Sequence, residues 1–161
     1  MGAADAMSTC ITTPEQPYVP GIPSRAVVTP VYGWDAGANS LQQYPGDARI
    51  RFTMEPAIGV VLGLTNTRDN PESMPRISHG FLFNKSHAGT PQWQVIEAGV
   101  VKTGPGTYTG ATEFRVDRAG TQVSYFVNGA LVYASRTPFT GMAICATALY
   151  ASGDTVPGEA W

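Results

Sequence analysis

Residues 114–135 read FRVDRAGTQVSYFVNGALVYAS, and this stretch decides the fold. Phe114, Val116 and Arg118 alternate with Glu113, Arg115 and Asp117, the two-residue period of a strand with one dry face and one wet face. Ala119-Gly120 turns the chain, and Val123, Tyr125 and Val127 share one face of the next strand. Asn128-Gly129 follows. A type I′ turn needs positive φ at both central residues, and Asn-Gly reaches it at the least cost. Residues 131–135 return as a third strand, and residues 142–150, MAICATALY, make a long final one.

The pattern continues upstream. In residues 48–54, ARIRFTM, Ile50, Phe52 and Met54 alternate with Arg49, Arg51 and Thr53. Residues 58–65, IGVVLGLT, form a continuous apolar run of strand length, which predicts a central strand covered on both faces. Residues 77–84 and 92–101 read as strands, the second broken near Gly99. Residues 67–75, TRDNPESMP, read as a polar loop, and residues 102–110, KTGPGTYTG, as a turn region. Residues 26–34, AVVTPVYGW, are rich in branched and aromatic side chains, with Pro30 confining them to an edge or a bulge. No segment of about ten residues has helical periodicity with caps. Roughly ten short strands with frequent turns predict an all-β fold, an antiparallel sandwich or jelly roll.

Composition agrees. The 161 residues suffice for one domain with a proper core. Charged residues are only 14%, and 18 glycines with 13 prolines interrupt any long helix. A net charge of −2 with no basic stripe argues against nucleic-acid binding. No window approaches the ~20 apolar residues of a membrane span, so a soluble chain without membrane insertion is expected. Nor do the first residues carry the charged and apolar regions of an export signal.

Residues 1–25 stand apart as an extended arm, leaving residues 26–161 as the sandwich domain. Pro14, Pro17, Pro20 and Pro23 recur every third residue, which favours polyproline II or plain extended chain. Such an arm either packs on a neighbouring subunit or crosses its own domain. Residues 7–12, MSTCIT, could form a short edge strand before it, and Trp161 at the far end either docks locally or meets a partner. Cys10 and Cys145 are the only cysteines. Two free thiols are the favoured reading, because disulfide-dependent domains usually carry more pairs.

The run at residues 114–135, followed by ALYASGDTV, resembles concanavalin A-like lectin domains, including the laminin G-like branch. A strand, a G-x-x-V-x-Y turn-and-strand, an N-G hairpin, and a last strand ending in a small-residue turn carry the likeness. It covers residues 48–156 in pattern and is strongest over residues 114–156. GWDAGANS and VVLGLTN, with the missing export signal, also look like domains of bacteriophage tail and other virion proteins. The resemblance implies a jelly-roll sandwich. That fold hosts glycan-binding modules, glycoside hydrolases, adhesion domains and structural modules alike, so the site must choose among them.

A retaining glycosidase needs two carboxyl groups about 5–5.5 Å apart, and the hydrolases of this fold show E-x-D-x-x-E on a strand. Nothing like it occurs here. Glu113 and Asp117 share a face with Arg115 and read as a solvated charge ladder. There is no G-x-S-x-G, and His79 reads as a satisfied sheet or core histidine. Two cysteines and two histidines lack zinc spacing. Several lectins of this fold hold calcium through Asp and Asn side chains with backbone carbonyls. The metal candidates here are Asp69, Asn70 and Asp154, with Asp35 and Asn39 in GWDAGAN. Each by itself reads as a turn cap, so no cofactor is expected, and calcium is the one metal the pattern could take.

Glycan binding needs an aromatic face beside planar polar groups. Trp34 with Asp35 and Asn39 is one candidate platform. Trp93, flanked by Gln92 and Gln94 and near Asn84 and the loop-borne His87, is another. Both tryptophans also read as core anchors, Trp93 more strongly. Isolated Tyr108 is the aromatic most expected to be exposed. The expectation is a non-enzymatic attachment module of a phage virion, tail-associated and contacting cell-surface carbohydrate. The alternative is a structural virion subunit without a ligand, which the low charge content favours slightly. A glycoside hydrolase is disfavoured. Expected partners are copies of the chain or other virion proteins reached through the arm.

Overall fold

A computed structural model describes residues 32–151 and 154–156. These form ten strands: β1 (Tyr32–Asn39), β2 (Ala48–Thr53), β3 (Gly59–Thr65), β4 (His79–Lys85), β5 (Pro91–Glu97), β6 (Val100–Thr107), β7 (Glu113–Ala119), β8 (Gln122–Val127), β9 (Ala130–Ala134) and β10 (Ile144–Ala151). One short 3-10 turn, Met74–Arg76, lies between β3 and β4. Six strands make one sheet in the order β1-β10-β3-β4-β5-β6, and four make the other in the order β2-β7-β8-β9. Every pairing is antiparallel. The expected antiparallel β-sandwich of jelly-roll type is the fold. Among the described residues no helix is long and apolar enough to cross a membrane.

The β7–β8–β9 meander forms as its alternation requires. Phe114 and Val116 are fully buried, while Glu113, Arg115 and Asp117 face outward. Arg118 also points inward, where its Nε donates to the Gly120 carbonyl and its Nη1 to the Gly141 carbonyl. Asn128 and Gly129 have φ of 49° and 81°, the positive values that a two-residue I′ hairpin demands. β3 is buried at every position, as its continuous apolar run predicts.

The chain departs from expectation in several places. Residues 102–107, read as part of a turn region, continue the strand from Val100 and belong to β6. Its glycines answer cross-strand needs: a Cβ on Gly106 would stand 2.4 Å from the Trp93 ring. Pro105 is tolerated because β6 is an edge strand. The break near Gly99 is a tight turn in which Ala98 and Gly99 both have positive φ. The strand read as ending at Trp34 runs on to Asn39, so GWDAGAN lies within β1. Cys145 is disulfide-bonded, which overturns the expectation of two free thiols. Cys10, the proline-punctuated arm, residues 7–12, residues 26–31 and Trp161 lie outside the described residues.

Between the sheets lies an aromatic core. Phe52, Phe81, Phe83 and Phe114 meet with centroids 4.8 to 6.5 Å apart, mostly edge to face. Val60, Leu62 and Leu64 of β3 point into it. Val61 points the opposite way into a second, smaller cluster with Ile77, Ile96, Ala146 and Ala148. This second cluster coats the outer face of the six-stranded sheet, so β3 is dry on both sides.

Candidate functional site

The outer face of the six-stranded sheet is laid out by strand register. Gly59 pairs with Asn84, Asn84 with Gln92, and Gln92 with Thr107. Tyr150 lies one step beyond the Leu149–Val60 pair and flanks Gly59; a Cβ on that glycine would stand 2.5 Å from Tyr150 Cβ. Directly opposed residues share a face, so Tyr150, Gly59, Asn84, Gln92 and Thr107 form one row. The next row is Ala148, Val61, Leu82 and Gln94. Trp34 closes the aromatic end, its ring 5.4 Å from that of Tyr150 and tilted by 55°. It is half-buried against the second cluster, on which Met74 and Leu82 also pack.

The result is an aromatic pair, a glycine floor and three planar amides. Asn84 Nδ2 donates to Gln94 Oε1 at 3.5 Å, while Asn84 Oδ1 is buried without a partner. A buried acceptor left open costs about 1–3 kcal/mol and calls for a water or ligand hydroxyl. No Asp, Glu, Lys or Arg stands in the two rows. Asp154 sits at their margin and is fully engaged: its carboxylate accepts from Ile58 N–H at 3.0 and 3.1 Å and from Gly59 N–H at 2.8 Å. It fixes the entry to β3, and with it the glycine beside Tyr150. His87 is exposed in the β4–β5 hairpin, just past the Asn84–Gln92 pair.

The other end of the face is roofed by the loop between β3 and β4. Arg76 Nη2 donates to the Pro71 carbonyl at 2.7 Å and reaches those of Thr147 and Ala38 at 3.3 and 3.4 Å. Burial lowers the pKa of this guanidinium, with Glu72 partly opposing. Arg68 donates to the carbonyls of Ser40 and Leu41. A Cβ on Gly37 would meet the Pro71 oxygen at 1.8 Å, so only glycine lets the loop lie this close.

The candidate residues are distributed unevenly. Trp34 lies on the face. Asn39 is five residues further along β1, about 17 Å in an extended strand, and donates to the Arg68 carbonyl. The Asp35 side chain is outside the described residues. Trp93 points between the sheets, 5.9 Å from the Phe81 ring, which leaves its neighbours Gln92 and Gln94 on the outer face. Tyr108 corrects the expectation of exposure: it is 5% exposed and part of the main core. Its hydroxyl accepts from Ala57 N–H and donates to the Glu55 carbonyl, and burial raises its pKa.

The metal candidates are not brought together. Asp69 and Asn70 are exposed beyond the C-terminal end of β3, with Asn70 at a positive φ of 51°, while Asp154 binds the opposite end. Seven residues of strand separate them, roughly 20 Å. Among the described residues no group of three or more His, Cys, Asp and Glu side chains is placed to hold a metal.

The face was partly visible as two separate platforms, one at Trp34 and one at Trp93. Register merges the aromatic end of the first with the amides of the second. Tyr150 was missed, although Ala146, Ala148 and Tyr150 share the strand period that would have placed it outward.

No protein-family model matches the chain, and neither does any curated protein sequence. Solved structures do. A Bacillus licheniformis beta-glucanase aligns at 16% identity and a TM-score of 0.40 over 76% of this chain and 62% of its own. The carbohydrate recognition domain of Emp47p aligns at 10% and 0.45 over 71% and 68%, and a carbohydrate binding module from Bacillus subtilis at 10% and 0.42 over 73% and 76%. The likeness is one of fold alone. The chain spans less than two thirds of the glucanase's length.

Proposed function

We propose that this chain is a non-enzymatic recognition module that binds uncharged carbohydrate on the outer face of its six-stranded sheet, displayed on a phage virion. The observation that carries the reading is the Trp34–Tyr150 pair continuing into Gly59, Asn84, Gln92 and Gln94. Aromatic rings take the C–H face of a sugar, and planar amides fix its hydroxyls. The absence of charge from the two rows suits a neutral sugar. Hydrolysis is disfavoured on the same ground, because the rows present neither of the two carboxyl groups that it requires. Glu113 and Asp117, on the other sheet, are engaged with arginines. The virion setting rests on the sequence resemblance, and several displayed copies would turn weak single sites into useful avidity.

The test is a neutral-glycan array, followed by titration of the best ligand. Tyr150→Ala and Gln92→Ala are each expected to weaken binding about tenfold or more without a large change in melting temperature, and no sugar should be released on long incubation. Unchanged affinity in both variants would sink the assignment of the face; released product would sink the non-enzymatic reading.

A second reading, a structural virion subunit, draws support from the edges. Val100 and Val101 on β6 and Leu131 on β9 are exposed on the edge strands of the two sheets, the usual place where chains join. Light scattering separates the two: a stable oligomer that retains no glycan favours the subunit.

A further inference from the structure

The outer face of the four-stranded sheet has the opposite character. Register sets Arg49 opposite Asp117, Arg51 opposite Arg115, and Arg115 opposite Phe126. Arg49 spends its fork on Asp117, with Nε to Oδ1 at 2.8 Å and Nη2 to Oδ2 at 3.0 Å. Arg115 and Arg51 have no such partner. Arg115 Nε forms an ion pair with Asp117 Oδ1 at 3.3 Å, but it is buried and makes no hydrogen bond. Arg51 Nε is 3.8 Å from Glu113 Oε2, and both side chains are 45% exposed. Three guanidinium groups therefore share two carboxylates, and two of them face each other across a strand pair, where like charges repel.

We propose that this face is a second binding site, one that takes the oxyanion of an acidic saccharide between Arg51 and Arg115. An anion seated there would relieve the repulsion and accept from the unspent N–H groups in the forked geometry that guanidinium offers to carboxylate or sulfate. The same row supplies the surface for the rest of the sugar. Arg115 lies 3.9 Å over the Phe126 ring, and Leu131, opposite Phe126, is 57% exposed. Ser124, opposite Asp117, adds a hydroxyl in the neighbouring row. An inorganic ion would use none of these. An anionic membrane would press Asp117 and Glu113 against like charge.

The experiment is calorimetric titration of the full chain at low ionic strength with four probes: trigalacturonate, neutral galactotriose, sodium sulfate and phosphatidylglycerol vesicles. Trigalacturonate is expected to bind, to weaken as salt rises, and to lose about tenfold or more in Arg51→Gln, with the melting temperature unchanged. Arg115→Lys, which keeps the charge and loses the fork, should also bind more weakly. Tyr150→Ala should leave trigalacturonate binding intact. Sulfate binding as tight as trigalacturonate, vesicle binding that depends on Arg51, or equal affinities in wild type and Arg51→Gln would each overturn the proposal. Loss of trigalacturonate in Tyr150→Ala would move the acid to the six-stranded sheet and also overturn it. Failure of galactotriose to bind would count only against the neutral face.

Discussion

The two outer faces of this sandwich are built from different materials. The six-stranded sheet uses small residues: Gly59, Gly63 and Gly80 lie in its central strands β3 and β4, and a loop held by Arg68 and Arg76 packs on it. No glycine occurs in the four strands of the other sheet, whose outer face carries long charged side chains on β2 and β7. One face gains its shape from backbone brought close, and the other from side chains paired across strands. The first should therefore be sterically brittle, and the second electrostatically soft.

The largest expected effect tests the brittle face. A Cβ on Gly63 would fall 2.1 Å from the His79 carbonyl oxygen and 2.4 Å from Gly80 Cα, both backbone atoms of β4 that cannot swing away. Gly63→Val should cost about 3 kcal/mol or more and lower the melting temperature by roughly 6–12 °C for a domain of this size. Thermal unfolding followed by circular dichroism reads this directly. A shift below about 2 °C would mean that the β3–β4 approach is looser than the geometry gives, and the contrast between the faces would lose its steric half.

The same contrast explains what could be read from sequence. The four-stranded sheet was legible because each of its strands answers to itself: Phe114 and Val116 against Arg115 and Asp117, then the Asn128-Gly129 turn. In the six-stranded sheet the reasons lie across strands. Gly106 is required by an indole on β5, so β6 carries glycine and reads as a turn. The hydroxyl of Tyr108 finds its partners at Glu55 and Ala57, about fifty residues upstream, so nothing near Tyr108 announced its burial. The candidate site shares this fate. Trp34, Gln92 and Gln94 were each visible as residue types, but the distance between them is set by β10, β3 and β4, and only register supplies it.

A middle-sized effect concerns the polar contact that joins the layers behind both faces. Tyr125 of β8 is fully buried and donates to Glu97 Oε1 of β5 at 3.0 Å, while Glu97 Oε2 has no partner. Burial first, and the Glu97 charge second, raise the pKa of Tyr125 far above the ordinary value of 10. A raised tyrosine pKa favours the neutral form in the folded state. Its stabilisation is thus fully present below about pH 10, where the unfolded chain titrates, and is lost as pH rises beyond it. Tyr125→Phe should cost about 1–3 kcal/mol near neutrality, because it strands a buried carboxylate. Above about pH 10 it should unfold less steeply than wild type, by about 1.4 kcal/mol per pH unit. Urea titrations across that range decide it, and parallel curves for the two proteins would remove Tyr125 from the alkaline transition.

The smallest effect belongs to the soft face. The Arg49–Asp117 pair has good bidentate geometry, and its hydrogen bond to Asp117 raises the Arg49 pKa. Yet Arg49 is 42% exposed and Asp117 is also claimed by Arg115, so solvent screening and competition both reduce its worth. A double-mutant cycle with Arg49→Gln and Asp117→Asn should give a coupling of about 0.5 kcal/mol, shrinking further at 1 M salt, where the Debye length falls to about 3 Å. The single Asp117→Asn change is the more informative arm. It leaves three arginines beside one carboxylate, so its cost should exceed that of Arg49→Gln, and salt should reverse it by screening repulsion among the arginines. If salt affects both single variants equally, the face carries no excess of positive charge, and its contrast with the neutral face reduces to shape.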